Sequence, residues 1–224
     1  MALSVAFVLF PNLTQLDLTA PAQVLSRIPD ATVRYVAKTE EPVPTDCGFS
    51  ILPTETFANA AKCDLLCVPG GPGVAAALKD ASTVEFVDRL SRHARYVASV
   101  CTGAFLIGAT GALDGKHATT HWAYRHLLPR VGAKPTPGRV VRDRNLFTGG
   151  GVTAGLDFAL TIAAEVAGED VARLVGTAIE YAPEPPFGSC DYEAQPLPVR
   201  STLDSRYAKS VGRIADALDA LQLR

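Results

Sequence analysis

Two residues of this 224-residue chain join a reactive side chain to a setting that could use it: Cys101 and Asp17. Cys101 ends the apolar run Tyr96-Val-Ala-Ser-Val100 and opens Thr102-Gly-Ala-Phe-Leu-Ile-Gly-Ala-Thr-Gly111. That pattern predicts a strand, a sharp turn and a helix, with Gly111 stopping the helix. A side chain at such a turn is lifted off the end of the sheet, and the first free N–H groups of the helix favour its anionic form. It is the setting of a cysteine nucleophile, which alkylating agents should find ahead of the other four cysteines. The competing reading is a buried cysteine that merely closes a strand. Asp17 is a lone acid among Leu13, Leu16 and Leu18. It either caps or solvates a loop, or is a carboxylate held at the carboxyl end of the first strand.

The elements that must position these groups follow from hydrophobic patterning. Leu3 to Phe10 is almost uninterruptedly apolar, as in a strand covered on both faces of a parallel sheet. Thr19 is placed to cap a helix with Pro21 in its first turn. Ala31 to Ala37, Phe49 to Leu52 and Asp64 to Val68 predict further strands. The turn Pro69-Gly-Gly-Pro-Gly73 lacks both GxGxxG and the Lys-Ser/Thr of a P-loop, so it predicts backbone N–H groups beside a site rather than a phosphate cradle. Ser82-Thr-Val-Glu85 is a capping box for a helix through Leu90. Ala118-Thr-Thr-His121-Trp122 leads into a helix ending near Pro129, and Arg139–Asp143 with Asn145–Thr148 form a hairpin pattern. Gly149-Gly-Gly151 introduces a helix from Thr153 to Ala167 stopped by Gly168, and another runs from Asp170 to Tyr181. Residues 182–200 are a Pro-rich irregular arm. Arg206 to Leu223 carries Val211, Ile214, Leu218 and Leu221 on one face, which packs on the domain or on a neighbouring subunit.

This alternation predicts one α/β domain over residues 1–224, with arm and helix from about 182. Its architecture is an open, mostly parallel sheet with helices on both faces. Ligands belong at the carboxyl ends of such strands, which gathers Asp17, the Pro69–Gly73 turn, Cys101 and Gly149–Gly151. A net charge of −2, with the basic residues scattered, excludes a basic field and with it a nucleic-acid partner. Five cysteines without a CxxC pair fit reduced thiols and a cytoplasmic protein. Cys63 and Cys67 lie in or beside an apolar strand and lack a second ligand pair, so packing is preferred to metal; neither a metal nor a cofactor is expected. Leu3–Phe10 is too short to span a bilayer and has no basic flank, so no membrane association is expected.

Four motifs together resemble the DJ-1/PfpI superfamily: Pro69-Gly-Gly-Pro-Gly73, Ser99-Val-Cys101-Thr-Gly103-Ala, Ala118-Thr-Thr-His-Trp122 and Gly149-Gly-Gly-Val-Thr-Ala-Gly-Leu-Asp157. The likeness runs from Leu3 to about Tyr181. Within it, the Asp17 loop, the Cys-Thr-Gly turn and the Thr-Thr-His-Trp segment are most similar to the isocyanide hydratases, and also to the amino-terminal domain of certain AraC-type regulators. The 24 residues after Arg200 leave no room for the helix-turn-helix pair of the latter. The resemblance implies a flavodoxin-like domain, usually a homodimer, with Cys101 as a strained nucleophile elbow touched by Asp17. Superfamily peptidases carry a His directly after the cysteine where this chain has Thr102, and the DJ-1 branch and related glyoxalases place a Glu where it has Asp17.

The implied chemistry is cofactor-independent hydration of an isocyanide to an N-substituted formamide. Cys101 thiolate attacks the terminal carbon, Asp17, protonated in apolar company, supplies the carbon proton, and water then releases the thioimidate with Asp17 as base. Backbone N–H groups of Gly71 and Thr102 would steady developing negative charge, and the Thr102 hydroxyl would orient water or Asp17. Gly150, Val152, His121 and Trp122 are candidates to line the substrate pocket, with His121 more often a packed residue than a base in such a position. Two alternatives share the nucleophile: glyoxalase-like hydration of a 2-oxoaldehyde, and a peroxide-sensitive cysteine switch without catalysis.

Overall fold

The centre of the sheet is set by hydrophobic continuity. The computed structural model describes residues 3–222, so Leu223, the predicted end of the last helix, lies outside the described residues. β1 (Ser4–Val8) is buried almost throughout and is followed by α1 (Gln15–Leu25) and β2 (Thr32–Ala37). The next stretch is nearly all loop, with the short strands β3 (Val43–Pro44), β4 (Ser50–Ile51) and β5 (Glu55–Thr56). β6 (Leu65–Val68), α2 (Val74–Ala77), α3 (Ala81–Ser91), β7 (Tyr96–Val100) and α4 (Ala104–Gly108) follow as successive βα units. The short β8 (His117–Ala118) and β9 (Lys134–Pro135) flank a 3-10 segment, Trp122–Val131. The hairpin β10 (Val140–Asp143) and β11 (Leu146–Gly149) then leads to α5 (Ala154–Ala167), α6 (Glu169–Ala178) and, after a short 3-10 turn, α7 (Leu197–Gln222).

The main sheet has seven strands in the order β10-β11-β7-β6-β1-β2-β5. All its pairings are parallel except the β10–β11 hairpin. The chain leaves β1 toward β2 and returns on its other side through β6, so the strand order reverses between β1 and β6. That crevice is where open α/β sheets bind ligands. α1 packs on α5, closely enough that a Cβ on Gly155 would lie 3.2 Å from the Pro21 ring. α7 lays Ile214, Ala217 and Leu218 into the core of its own domain, which decides where its apolar face goes. Among the described residues no helix is long and apolar enough to cross a membrane.

Several boundaries differ from the pattern-based expectation. α1 starts at Gln15, not Thr19, which moves Asp17 from a loop into the helix's first turn. The cap comes from Asp46, remote in sequence, whose carboxylate accepts the Thr14 hydroxyl (2.8 Å) and the Gln15 N–H (3.1 Å). No local pattern announces a cap supplied across the loop. The N-cap of α3 is Asp80 rather than Ser82; its carboxylate takes the Ser82 and Thr83 hydroxyls (both 2.9 Å) and the Lys38 ammonium (2.9 Å). The predicted helix after Trp122 is 3-10, runs through Pro129 and ends on Gly132 at φ 73. α7 begins at Leu197, nine residues before Arg206. Asp46→Ala is expected to lower stability by about 1 kcal/mol, as loss of a helix cap does, while Asp46→Asn retains most of it; urea denaturation of the two variants beside the parent checks this.

Candidate active site

Strand register brings the chemistry together. Val68 of β6 is level with Ser99 of β7, and Gly149 of β11 with Val100. The residues that follow, Pro69-Gly70, Cys101 and Gly150, therefore emerge side by side at one edge. At Cys101 the chain passes from extended backbone at Val100 (φ −117) to the left-handed region (φ 56) and then into a 3-10 turn, Cys101–Gly103. Such a conformation in a non-glycine residue costs on the order of 1–3 kcal/mol and persists only where its surroundings dictate it. Here both sides of the residue are tied. The Cys101 N–H donates to the Gly150 carbonyl (2.9 Å), and the Thr120 hydroxyl donates to the Cys101 carbonyl (2.6 Å). Glycine is needed on either flank. A Cβ on Gly103 would lie 2.2 Å from the Val68 carbonyl oxygen, and one on Gly70 would lie 2.5 Å from the Thr102 nitrogen and 2.9 Å from Asp17 Oδ2.

Asp17 and Cys101 form one buried unit. Asp17 is 1% exposed; its Oδ2 accepts the Gly70 N–H (3.0 Å), and its Oδ1 is buried without a partner of ordinary hydrogen-bond geometry. The Cys101 thiol lies against this carboxyl. Burial raises the Asp17 pKa to about 7 against the opposing pull of the Gly70 N–H and Cys101, with the Asp46 charge adding to the rise. Burial first, and the Asp17 charge second, push the Cys101 thiol well above its usual range, against the N–H and hydroxyl of Thr102, which favour the anion. The expected helix-stabilised thiolate is therefore corrected. α4 has only five residues, and desolvation outweighs the few N–H groups that face the sulfur. The Cys101 thiol therefore rests protonated beside the Asp17 carboxyl, and the two titrate as a coupled pair.

The other candidates divide. Gly71, expected to steady negative charge, donates its N–H to Thr102 Oγ1 (2.9 Å), so that donor is engaged and Thr102 serves the sulfur instead. Gly150 acts through the carbonyl that holds Cys101. His121 caps the 3-10 segment by accepting the Ala123 N–H on Nδ1 (3.3 Å); burial, helped by Arg125, pushes its pKa down to about 4, so it is neutral. Its ring edge packs on Gly151, where a Cβ would lie 3.1 Å away. Trp122 stacks on Tyr192 at 4.0 Å. Val152 is half-buried in the turn before α5, where its carbonyl accepts the Gly155 N–H (3.3 Å). Sequence reasoning missed Gly70 as the Asp17 donor, Thr120 as the clamp on Cys101, and Tyr124, Tyr192 and Tyr207, which surround His121 and Trp122. Gly70 and Thr120 stood inside motifs already singled out; Tyr192 stood out only as an aromatic residue of the Pro-rich arm, and nothing in the sequence paired the tyrosines with His121 and Trp122. Cys63 and Cys67 are buried, with thiols pushed up chiefly by burial, and no group of three potential metal ligands occurs among the described residues. A cavity of about 670 Å³ between α5 and α6 is lined by residues such as Leu160, Arg173 and Tyr181 and by none of the reactive ones.

A DJ-1/PfpI family model matches residues 3–165. Among curated relatives, an isonitrile hydratase of Pseudomonas putida is 50% identical over 94% of this chain and 92% of its own. The crystal structure of a THiJ/PfpI family protein from Pseudomonas syringae superposes with a TM-score of 0.95 and 37% identity, covering 97% of this chain and 91% of that one. Drosophila melanogaster DJ-1beta superposes at 0.70 with 25% identity, over 80% of this chain and 98% of its own.

Two measurements follow from the buried pair. Iodoacetamide at limiting dose is expected to modify the exposed Cys47 and Cys190 before Cys101, reversing the order the elbow pattern suggested; peptide mapping that finds Cys101 first would show that burial does not govern its reactivity. The second concerns stability. Between pH 3.8 and about 7 folded Asp17 holds a proton that the unfolded chain releases, so stability falls as pH rises through this window, by up to roughly 4 kcal/mol. Asp17→Asn removes that loss. Its stability advantage over the parent is expected to be larger at pH 8 than at pH 4 in urea denaturation, and an unchanged pH dependence would mean that Asp17 titrates normally.

Proposed function

The chain belongs to the DJ-1/PfpI family, and from that membership we propose that it is an isocyanide hydratase working through Cys101 and Asp17 without a cofactor. The observation that carries the reading is extensive identity to an isonitrile hydratase in a chain whose buried carboxyl keeps one unpartnered oxygen beside a cysteine. The terminal carbon of R–N≡C must receive a nucleophile and a proton at the same atom. Asp17 takes the Cys101 thiol proton as sulfur bonds to that carbon and delivers the proton to it from Oδ1, giving the thioimidate R–N=CH–S–Cys101. One proton and one carboxyl suffice for the step. Asp17 then takes a proton from attacking water and hands it to nitrogen. The resulting R–NH–CH(OH)–S–Cys101 collapses as Asp17 removes the hydroxyl proton, the C–S bond breaks, and the proton returns to sulfur. The product is R–NH–CHO, and the pair is restored.

Thr102 holds the sulfur side of this sequence. Its hydroxyl accepts from the Gly71 N–H (2.9 Å) and has only a long contact of 3.5 Å with the Gly71 carbonyl as acceptor, so turning its proton to the departing thiolate, beside the Thr102 N–H, costs little. A donor of this kind typically contributes about 3 kcal/mol at a developing charge. A 2-oxoaldehyde needs a proton moved between adjacent carbons, a longer reach than Asp17 has from its anchor on Gly70, and misplacement by about 1 Å can cost roughly 10²-fold.

The test supplies purified protein with an isocyanide and, separately, with methylglyoxal. Formamide is expected from the first, abolished in Cys101→Ser and lowered about 10² to 10⁴-fold in Asp17→Asn. kcat/KM should rise with pH through about 7, where the pair loses its first proton, and this limb should vanish in Asp17→Asn. Lactate from methylglyoxal at the greater kcat/KM, with formamide only at background, overturns the hydratase reading.

A further inference from the structure

The aromatic residues around His121 come from two separate parts of the chain. His121, Trp122 and Tyr124 belong to the segment after β8, and Tyr192 and Tyr207 to the 3-10 turn and α7 near the carboxyl end. Tyr207 is the hub. Its ring lies 5.0 Å from His121, 5.3 Å from Trp122 edge to face, and 6.1 Å from Tyr124, while Tyr192 stacks on the other face of the group through Trp122 at 4.0 Å. The Tyr124 and Ser210 hydroxyls hydrogen bond and lock α7 onto the 3-10 segment.

This assembly adjoins the segments that hold the reactive cysteine. Thr120, which clamps the Cys101 carbonyl, immediately precedes His121, and the His121 ring rests on Gly151, next to the residue that holds the Cys101 N–H. Burial raises the phenols of Tyr124 and Tyr207, and Cys101, when ionised, adds to both. Tyr207 is half-buried, and its hydroxyl has no hydrogen-bond partner among the described residues. The family match stops at residue 165, so Tyr192 and Tyr207 stand outside it. The Pseudomonas syringae structure, covering 97% of this chain, must include most of that segment.

We infer that α7 and the turn before it supply an aromatic wall for the substituent of the isocyanide, with Tyr207 as the specificity-determining residue, so that aryl and arylalkyl isocyanides are preferred to small alkyl ones. The inference rests on the hydratase reading. A neutral, ring-lined wall matches a flat apolar substituent by offset stacking and edge-to-face contact, with ring centroids 4.5–7 Å apart. No charged partner for the substituent is needed, and the wall offers little to a small polar carbonyl compound.

The test compares benzyl and methyl isocyanide in the parent, Tyr207→Phe, Tyr207→Leu and Tyr207→Ala, with thermal melting as the check on folding. The parent should favour benzyl isocyanide in kcat/KM. The benzyl-to-methyl ratio should fall about 10-fold in Tyr207→Leu and Tyr207→Ala, through KM for the benzyl substrate rather than kcat, and stay near the parent's in Tyr207→Phe. Should Tyr207→Ala melt early, the Leu and Phe variants decide, since both keep an apolar side chain larger than alanine's and only Phe keeps the ring. A ratio unchanged across the variants, or a loss that falls equally on both substrates or mainly on kcat, overturns the specificity role and leaves the hydratase reading standing. A parent that hydrates neither isocyanide overturns both.

Discussion

The desolvation of one carboxyl against one thiol governs this molecule. Asp17 and Cys101 are close neighbours with almost no exposure to water, and neither can carry its charge alone at ordinary cost. The outcome is a carboxyl that titrates near 7 beside a protonated thiol, which suits the proposed addition of sulfur and hydrogen to one carbon. Had the carboxyl been solvated it would be a permanent anion and a poor proton donor. Had the thiol been exposed it would be a nucleophile without its acid.

Everything near the pair serves to keep it closed. β1, β6, β7 and β11 are adjacent in register, so that four chain segments converge on a space too small for side chains at Gly70 and Gly103. The strain at Cys101 is held by its N–H donating to the Gly150 carbonyl and by the Thr120 hydroxyl donating to its own carbonyl, rather than by local sequence. The first turn of α1 carries Asp17 because Asp46 caps that helix from across a loop. Positive φ, close backbone approach and remote capping are costs that a fold accepts where it must aim one atom at another.

The strand, turn and helix around Cys101 were legible because they are contiguous and hydrophobic periodicity changes sharply at that residue. The hairpin before Gly149 and the helix from Thr153 were equally plain, bounded as they are by glycines. The start of α1 was not, since its cap comes from Asp46, and the state of the sulfur was not, since burial is a property of all the packed segments together while the helix-terminus argument sees only one. Gly71 illustrates the same limit at finer scale. Its place beside the site followed from topology, but whether its N–H was free depended on the rotamer of Thr102. The tyrosines of α7 and the turn before it were hidden for a further reason: on an amphipathic helix, a ring that packs and a ring that meets ligand occupy the same kind of position.

The burial that complicates the thiol also separates the catalytic reading from the regulatory one. A peroxide-sensing cysteine works as an accessible thiolate, because oxidation to the sulfenic acid begins with that anion meeting the oxidant. Cys101 is 6% exposed, and burial together with the neighbouring carboxyl holds it in the protonated form. An oxidant arriving at random therefore meets a poor target. On the proposed mechanism an isocyanide does not, because the carboxyl removes the thiol proton in the same step in which the carbon accepts the sulfur. On that mechanism reactivity is conditional on a substrate able to accept the proton that Asp17 takes up. That mechanism selects for chemistry in which nucleophile and proton are added to one atom.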